Sequence, residues 1–162
     1  MDSNNQVKKQ QRGWVQYQNL KLEVETYENY VQKIHFVTEV NNNYNPSPIL
    51  NKACEQLLEY LLGIRKEFTV FIAPEGSPFQ KKVWKAIQSI PYGETRSYKN
   101  IAAAIGNPRA ARAVGQAANK NPIAIIIPCH RVVGTDGDLR GYAGGIEVKE
   151  WLLNLEKEHK DK

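Results

Sequence analysis

The run Ile123-Ala124-Ile125-Ile126-Ile127 is closed at one end by Pro122 and at the other by Pro128. Five apolar residues between two prolines are too few for a helix and too apolar for a surface loop, so the run predicts a short buried strand. The chain must enclose this segment in a core, and the residues after Pro128 are held at the end of a rigid element. Those residues are Cys129-His130-Arg131. Two readings of Cys129 stand at this point. Cationic neighbours lower a thiol pKa and enlarge the thiolate fraction, which suits a nucleophile. Free cysteine is equally one of the most buried residue types, and buried thiols are usually inert packing.

The remaining pattern divides the chain near residue 74. Before it, Trp14-Val15-Gln16-Tyr17, Leu20 to Tyr27 and Val31 to Val40 are rich in β-branched and aromatic residues and predict two or three antiparallel strands. Asn41 to Pro48 reads as a loop. A helix follows from Pro48 or Ile49 to about Leu62, stopped by Gly63, with Ile49, Leu50, Cys54, Leu57, Leu58 and Leu61 at helical spacing. That places Cys54 in the core. Phe68 to Ile72 predicts one more strand, and Ala73 to Pro78 a linker. The expected domains are residues 1–74, a small α/β scaffold, and 75–162, a mainly helical unit.

In the second unit Ser77 caps a helix with Pro78 at its first position, and Phe79, Val83, Trp84 and Ile87 form the apolar face. Pro91-Tyr92-Gly93-Glu94 is a turn. Ser97 caps a short helix that Gly106 ends, and Asn107 is expected to cap a second, running to about Asn119. Two short helices joined by a tight turn form a helix-turn-helix pattern. A glycine-containing hairpin turn comes next at Gly134 to Asp138, then the loop Gly141-Tyr142-Ala143-Gly144-Gly145, which matches no phosphate fingerprint. The last helix runs from about Glu147 to Glu158 behind Val148, Trp151, Leu152 and Leu155. Glu156 borders this stripe and needs a partner, which is either His130, in a Cys–His–Glu relay, or a surface cation.

Charge points to a partner. Residues 1–73 carry eight basic and eight acidic side chains and residues 74–162 carry 14 and nine, so the net +5 sits wholly in the second part. Thr95 to Thr135 holds Arg96, Lys99, Arg109, Arg112, Lys120 and Arg131 without a single carboxylate. A block lacking one sign of charge suits a polyanion, and nucleic acid above others. Within it the second short helix is nearly bare: Ala110, Ala111, Ala113, Gly115, Ala117 and Ala118 surround Arg112. Either the small side chains pack tightly on the core, or they bring the helix backbone close to a groove. Gly115 costs such a helix about 1 kcal/mol relative to Ala, so a packing or access reason is expected.

Other classes are excluded by what the chain lacks. Hydrophobic residues make up 41% and charged residues 24%, the balance of a soluble globular protein. Met1 to Arg12 has no apolar core, so no secretory signal is expected, and no apolar stretch has membrane-spanning length. Two cysteines, Cys54 and Cys129, make no disulfide framework, and a cytoplasmic setting is expected.

Several segments together resemble the O6-alkylguanine-DNA alkyltransferases. They are Gly76 to Gln80 with Val83-Trp84, Pro91 to Thr95, Ser97-Tyr98, Ala110 to Gly115, Asn121-Pro122 with Pro128 to Val133, Gly141 to Gly145, and Lys149 to Leu153. The match is dense over roughly residues 67 to 158 and holds only in outline before that. The resemblance implies an α/β (α+β) fold, with a small RNase H-like sheet-and-helix domain and a winged-helix-like domain carrying the helix-turn-helix.

It also implies a single-use repair protein that flips O6-alkylguanine from duplex DNA and keeps the alkyl group. Cys129 would be the acceptor, His130 would draw off its proton through a water, and Glu156 would orient the imidazole. Asn121 would support the turn that presents the cysteine. Tyr98 would donate a hydrogen bond to the departing base, with Lys149 assisting. Tyr142 would wall the base pocket, and backbone groups near Val132 and Ala143 would hold the base edge. Arg112 would enter the stack, with Ala111, Gly115 and Ala118 facing the minor groove and Arg96, Arg109 and Arg131 as further DNA contacts. The expected partner is double-stranded DNA bearing O6-alkylguanine, with O4-alkylthymine left open; no cofactor and no membrane are expected, and the protein would act as a monomer.

Two positions depart from the family pattern. The first domain offers only Cys54 and His35, too few for the structural zinc of some relatives, so no metal is expected. Ala118 stands where some members carry a bulkier apolar residue. Two rival readings are a non-reacting binding module, whose relatives have tryptophan at the acceptor position, and a cysteine hydrolase. The first conflicts with Cys129, and the second leaves the acid-free block without a role.

Overall fold

Alternation along residues 10–36 builds an antiparallel meander. The computed structural model describes residues 10–40 and 44–162 and places β1 (Gln10–Tyr17), β2 (Leu20–Tyr27) and β3 (Tyr30–Phe36) in the order β1-β2-β3. Two-residue connections join the strands, with Gln18 and Glu28 both at positive φ, the backbone twist that tight hairpins need. Val15, Leu22, Val24, Val31 and Ile34 are buried. Helix α1 (Pro48–Leu61) packs on the sheet, and Ser47 caps it by accepting from the Leu50 amide at 3.2 Å. Its inner face is Leu50, Ala53, Leu57, Tyr60 and Leu61. Ile49 and Cys54 are only half-buried and Leu58 is exposed, so the face is rotated from the expected stripe and Cys54 lies at its margin. The polar start of the chain and the Asn-rich loop fall partly on residues 1–9 and 41–43, outside the described residues.

The strand expected at Phe68 to Ile72 reduces to one parallel bridge between Ile72 and Val31. Around that bridge Phe71 accepts from the Val31 amide and Ala73 donates to the Val31 carbonyl, each at 2.9 Å. Nearer the start of the segment the Gln56 side chain accepts from the Thr69 amide at 3.0 Å and donates to the Thr69 hydroxyl at 2.6 Å, in place of ladder bonds there. The third strand likewise ends at Phe36 rather than Val40.

The chain divides into two compact units, Met1–Glu75 and Gly76–Lys162. In the second, α2 (Pro78–Gln88) opens with a capping box in which Ser77 and Gln80 satisfy each other's amides. The turn Pro91 to Glu94 leads to β4 (Arg96–Ser97), which pairs in parallel with β5 (Val132–Val133). Ser97 and Asn100 form a second capping box for α3 (Tyr98–Ala104), which Gly106 ends at φ +80°. Helix α4 (Ala111–Asn119) begins later than expected. Asn107 closes a turn with the Ala110 amide, and Ala110 occupies the cap without a side-chain bond. Asn107 is therefore a turn residue and not a cap. Helix α5 (Ile146–His159) completes the unit. Val83, Trp84, Ile87, Ile101, Val114, Ile123, Ile127, Val132 and Leu152 form its core, and the Trp84 indole donates to the Ala117 carbonyl at 2.8 Å. Among the described residues no helix is long and apolar enough to cross a membrane.

Candidate active site

The proline-fenced run is buried as expected, but it is a tight turn and not a strand. Ile127 donates its amide to the Ile123 carbonyl and Ile126 to that of Ala124, while Ile125 sits at φ +73°. A β-branched residue in the left-handed region costs about 1–3 kcal/mol. Burial of Ile123, Ile125 and Ile127 contributes about 1.5–3 kcal/mol per side chain and outweighs that strain. Asn121 clamps the turn from the side: its Nδ2 donates to the Ile127 carbonyl at 2.8 Å and its Oδ1 accepts from the Ile123 amide at 2.9 Å. These two bonds stand in for a ladder partner. The chain then enters a single 3₁₀ turn, Cys129–Arg131, which buries all three residues.

Cys129 is 4% exposed, and burial pushes its thiol pKa up to about 12. A hydrogen bond from Asn121 and the charge of Lys149 pull it down but do not prevail. This corrects the expectation of a thiol activated by its sequence neighbours. Burial holds the His130 pKa below its ordinary value, so the ring is neutral at rest. Arg131 is drawn away onto a carboxylate. The resting side chain is a thiol.

The neighbouring imidazole is held by a carboxylate. His130 Nε2 lies 2.6 Å from Glu156 Oε2, with both side chains buried. Glu156 also accepts from Arg131 Nε at 2.8 Å, Arg131 Nη2 at 3.0 Å and the Gly93 amide at 3.0 Å. Burial alone would raise its pKa, but the bonds and charges of His130 and Arg131 hold the carboxyl down at about 2. An ionised carboxylate can only accept, so His130 Nε2 carries the proton, and in the neutral ring Nδ1 bears the lone pair. Of the two partners open to Glu156, the structure selects His130 and adds Arg131. Arg131, expected to contact DNA, is 7% exposed and committed to this network, because its fork finds Glu156 and the Ile90 carbonyl inside the unit.

Lys149 is fully buried and donates to the Val132 carbonyl at 2.7 Å and the Arg140 carbonyl at 2.9 Å. Burial lowers its pKa to about 8, against the opposing charge of Cys129. Its ammonium stands 5.9 Å from the centre of the Tyr98 ring. Burial raises the Tyr98 phenol pKa, so it stays protonated and able to donate. Tyr142 meets His130 edge-on, with ring centres 6.4 Å apart, and its phenol is likewise raised by burial. Val132 is buried and Ala143 is exposed on the loop before α5.

A groove of about 320 Å³ runs beside this cluster, lined by Tyr98, Lys99, Ala111, Arg112, Gly115, Asn119, Gly134, Thr135, Arg140 and Gly141. Its volume falls at the lower end of small-ligand sites, about 300–1,000 Å³. Arg112 is exposed at its edge. A Cβ built on Gly115 would lie 3.7 Å from the Tyr98 ring, an ordinary contact, so packing alone does not demand glycine there. Gly115 lines the groove. Ala118 is half-buried and Arg109 exposed, and neither lines the groove. Arg96 is paired with Glu94 at 3.4 Å and borders a separate hollow with Ile90 and Asn100. Arg140 escaped the sequence reading because Asp136 and Asp138 place it outside the acid-free block. The roles of Gly93 and Ile90 are carried by backbone atoms and leave no trace in residue type. Among the described residues no three His, Cys, Asp or Glu side chains are grouped to hold a metal.

Known proteins resemble the chain over most of its length. The family described as "6-O-methylguanine DNA methyltransferase, DNA binding domain" matches residues 78–158. A methylated-DNA–protein-cysteine methyltransferase of Methanosarcina barkeri is 61% identical over 106 residues, 65% of this chain and 67% of that protein. The crystal structure of Mycobacterium tuberculosis O6-methylguanine methyltransferase superposes with a TM-score of 0.83 at 41% identity, covering 93% of this chain and 94% of that one. M. tuberculosis OGT in complex with DNA gives a TM-score of 0.78 at 45% identity, covering 86% and 88%.

Proposed function

Since the chain belongs to the 6-O-methylguanine DNA methyltransferase family, we propose that it repairs DNA by moving the alkyl group of O6-alkylguanine onto Cys129, once per molecule. The observation that carries this reading is the buried Cys129 beside a neutral His130 bound to an ionised Glu156. A thiol with a pKa of about 12 is ionised in roughly one molecule in 10⁵ at pH 7, so an unaided cysteine would be idle. Proton transfer to the lone pair of His130 Nδ1, through a water, supplies the thiolate at the moment of attack.

Sγ then attacks the alkyl carbon. The S–C bond forms as the C–O6 bond breaks, and the electron pair remains on the guanine. Tyr98 donates a hydrogen bond to the base as it becomes anionic, and the buried Lys149 ammonium lies close behind that ring. The thioether has no route back to a thiol, so each molecule acts once. Flipping the base costs a few kcal/mol of stacking, offset in part by Arg112 entering the stack. Tyr142 walls the base pocket, Val132 and Ala143 hold the base edge through their backbone, and Asn121 fixes the turn beneath the cysteine. Ala111, Gly115 and Ala118 present a low helix face to the minor groove, and Arg109 contacts phosphate. Whether O4-alkylthymine also enters depends on the same pocket. The protein acts as a monomer on double-stranded DNA, in the cytoplasm, with residues 1–74 as a scaffold.

Replacement of the acceptor tests the reading. Cys129→Ser binds lesion-bearing duplex with near wild-type affinity and transfers nothing, measured by gel shift and by counting labelled methyl groups on the protein. Methyl transfer by this variant would move the acceptor elsewhere.

A further inference from the structure

We propose that Arg131 is a positioning residue for the transfer: by gripping both oxygens of Glu156 it holds that carboxylate on His130 Nε2 and offsets its charge, leaving Nδ1 ready to take the Cys129 proton. The proposal rests on the reading of Cys129 as acceptor.

The geometry is unusually complete for an arginine one residue from the proposed base. Nη1 donates to the Ile90 carbonyl at 2.7 Å, Nε to Glu156 Oε1 at 2.8 Å and Nη2 to Glu156 Oε2 at 3.0 Å. The guanidinium carbon lies 5.7 Å from the centre of the Tyr92 ring. Oε2 is the oxygen that also holds His130 Nε2. The oxygen that orients the imidazole therefore shares its charge with a fixed cation.

The sign of the effect is set by the groups around His130. On its own turn are Cys129 and Arg131; α5 contributes Glu156 and Lys149; Tyr142 approaches from the preceding loop, and Tyr92 lies beyond Arg131. Glu156 is the one side chain here that favours imidazolium. Facing His130 alone, it would draw a proton onto the ring, and imidazolium has no lone pair for the thiol proton. Burial is the largest influence against that protonation, and Arg131 and Lys149, both cations, add to it. Only Arg131 does so while bound to the carboxylate, so orientation is kept and the charge is balanced. The Ile90 carbonyl anchors the fork from the far side.

The test tracks the His130 ring by nitrogen-15 NMR across pH 5 to 9 in the full chain, for wild type, Arg131→Gln and Arg131→Lys. Single-turnover transfer from an O6-methylguanine duplex is measured over the same range. Wild-type His130 stays neutral at pH 7. Arg131→Gln raises the ring's titration by roughly one to three pH units, the usual reach of an adjacent charge, and moves the acid limb of the transfer rate with it. Arg131→Lys keeps the charge and titrates near wild type, though its lost fork slows transfer at every pH. A Gln profile that is merely scaled down, with no shift along the pH axis, overturns the proposal. So does Arg131→Lys titrating like Gln, or a wild-type ring already charged at pH 7, which decides the matter even if Arg131→Gln fails to fold. Predicted ring titrations with no transfer at any pH would support this role and refute the acceptor reading instead.

Discussion

A single carboxylate gathers the site. Glu156 accepts from His130, from two nitrogens of Arg131 and from the Gly93 amide, and so joins the 3₁₀ turn, the turn after α2, and α5. Its pKa of about 2 lies below the unfolded value of about 4.5. A depressed carboxyl pKa stabilises the fold above the unfolded value, and that contribution is lost as pH falls through the folded one. Wild type therefore loses on the order of 3 kcal/mol between about pH 4.5 and pH 2 from this group. Glu156→Gln, which leaves His130 and Arg131 buried without their anion, is less stable at pH 7 by about 3–5 kcal/mol. Its urea midpoint should fall less steeply with acid than that of wild type. An unchanged acid slope would contradict the ionised state of Glu156.

At the scale of elements, α4 and the turn after it show what a sequence can and cannot display. The small-sided character of α4 was legible because it lies in side-chain size, and Gly115 was legible as a residue needing a reason. Its place in the groove wall offers one that can be tested. Gly115→Ala removes a helix penalty of about 0.5–1 kcal/mol and should leave thermal stability equal or higher. It also adds a methyl group to the groove wall, so transfer from duplex DNA should slow severalfold. Faster or unchanged transfer would return Gly115 to a packing role. The Ser77 and Ser97 caps and the Gly106 stop were equally legible, whereas the Gln80 and Asn100 halves of the capping boxes and the turn at Asn107 were not. The strand expected at Ile123 to Ile127 was not. Its apolar run fits a strand and a buried turn alike, and the choice is made by the side-chain amide of Asn121. The strand at Phe68 is shortened in a similar way: Gln56 takes the Thr69 amide, and only Phe71 to Ala73 pair with Val31. Arg131 was misassigned because residue type does not record which way a guanidinium turns.

For the whole molecule, charge and chemistry divide along the chain together. Eight acids balance eight bases in residues 1–73, while the excess cations and the Cys129–His130–Glu156 cluster both belong to the second unit. In that unit burial pushes up the pKa of the expected nucleophile, so at rest it is a thiol. That makes the chemistry conditional on the full site, and the acceptor claim can be tested on the intact protein. Purified chain is incubated with excess duplex containing a single O6-methylguanine, then weighed by mass spectrometry and digested. The expected result is a gain of one methyl group per molecule, located on the Cys129 peptide and not increased by more DNA. An unmodified Cys129 peptide, with lesion-bearing DNA demonstrably bound, would contradict it.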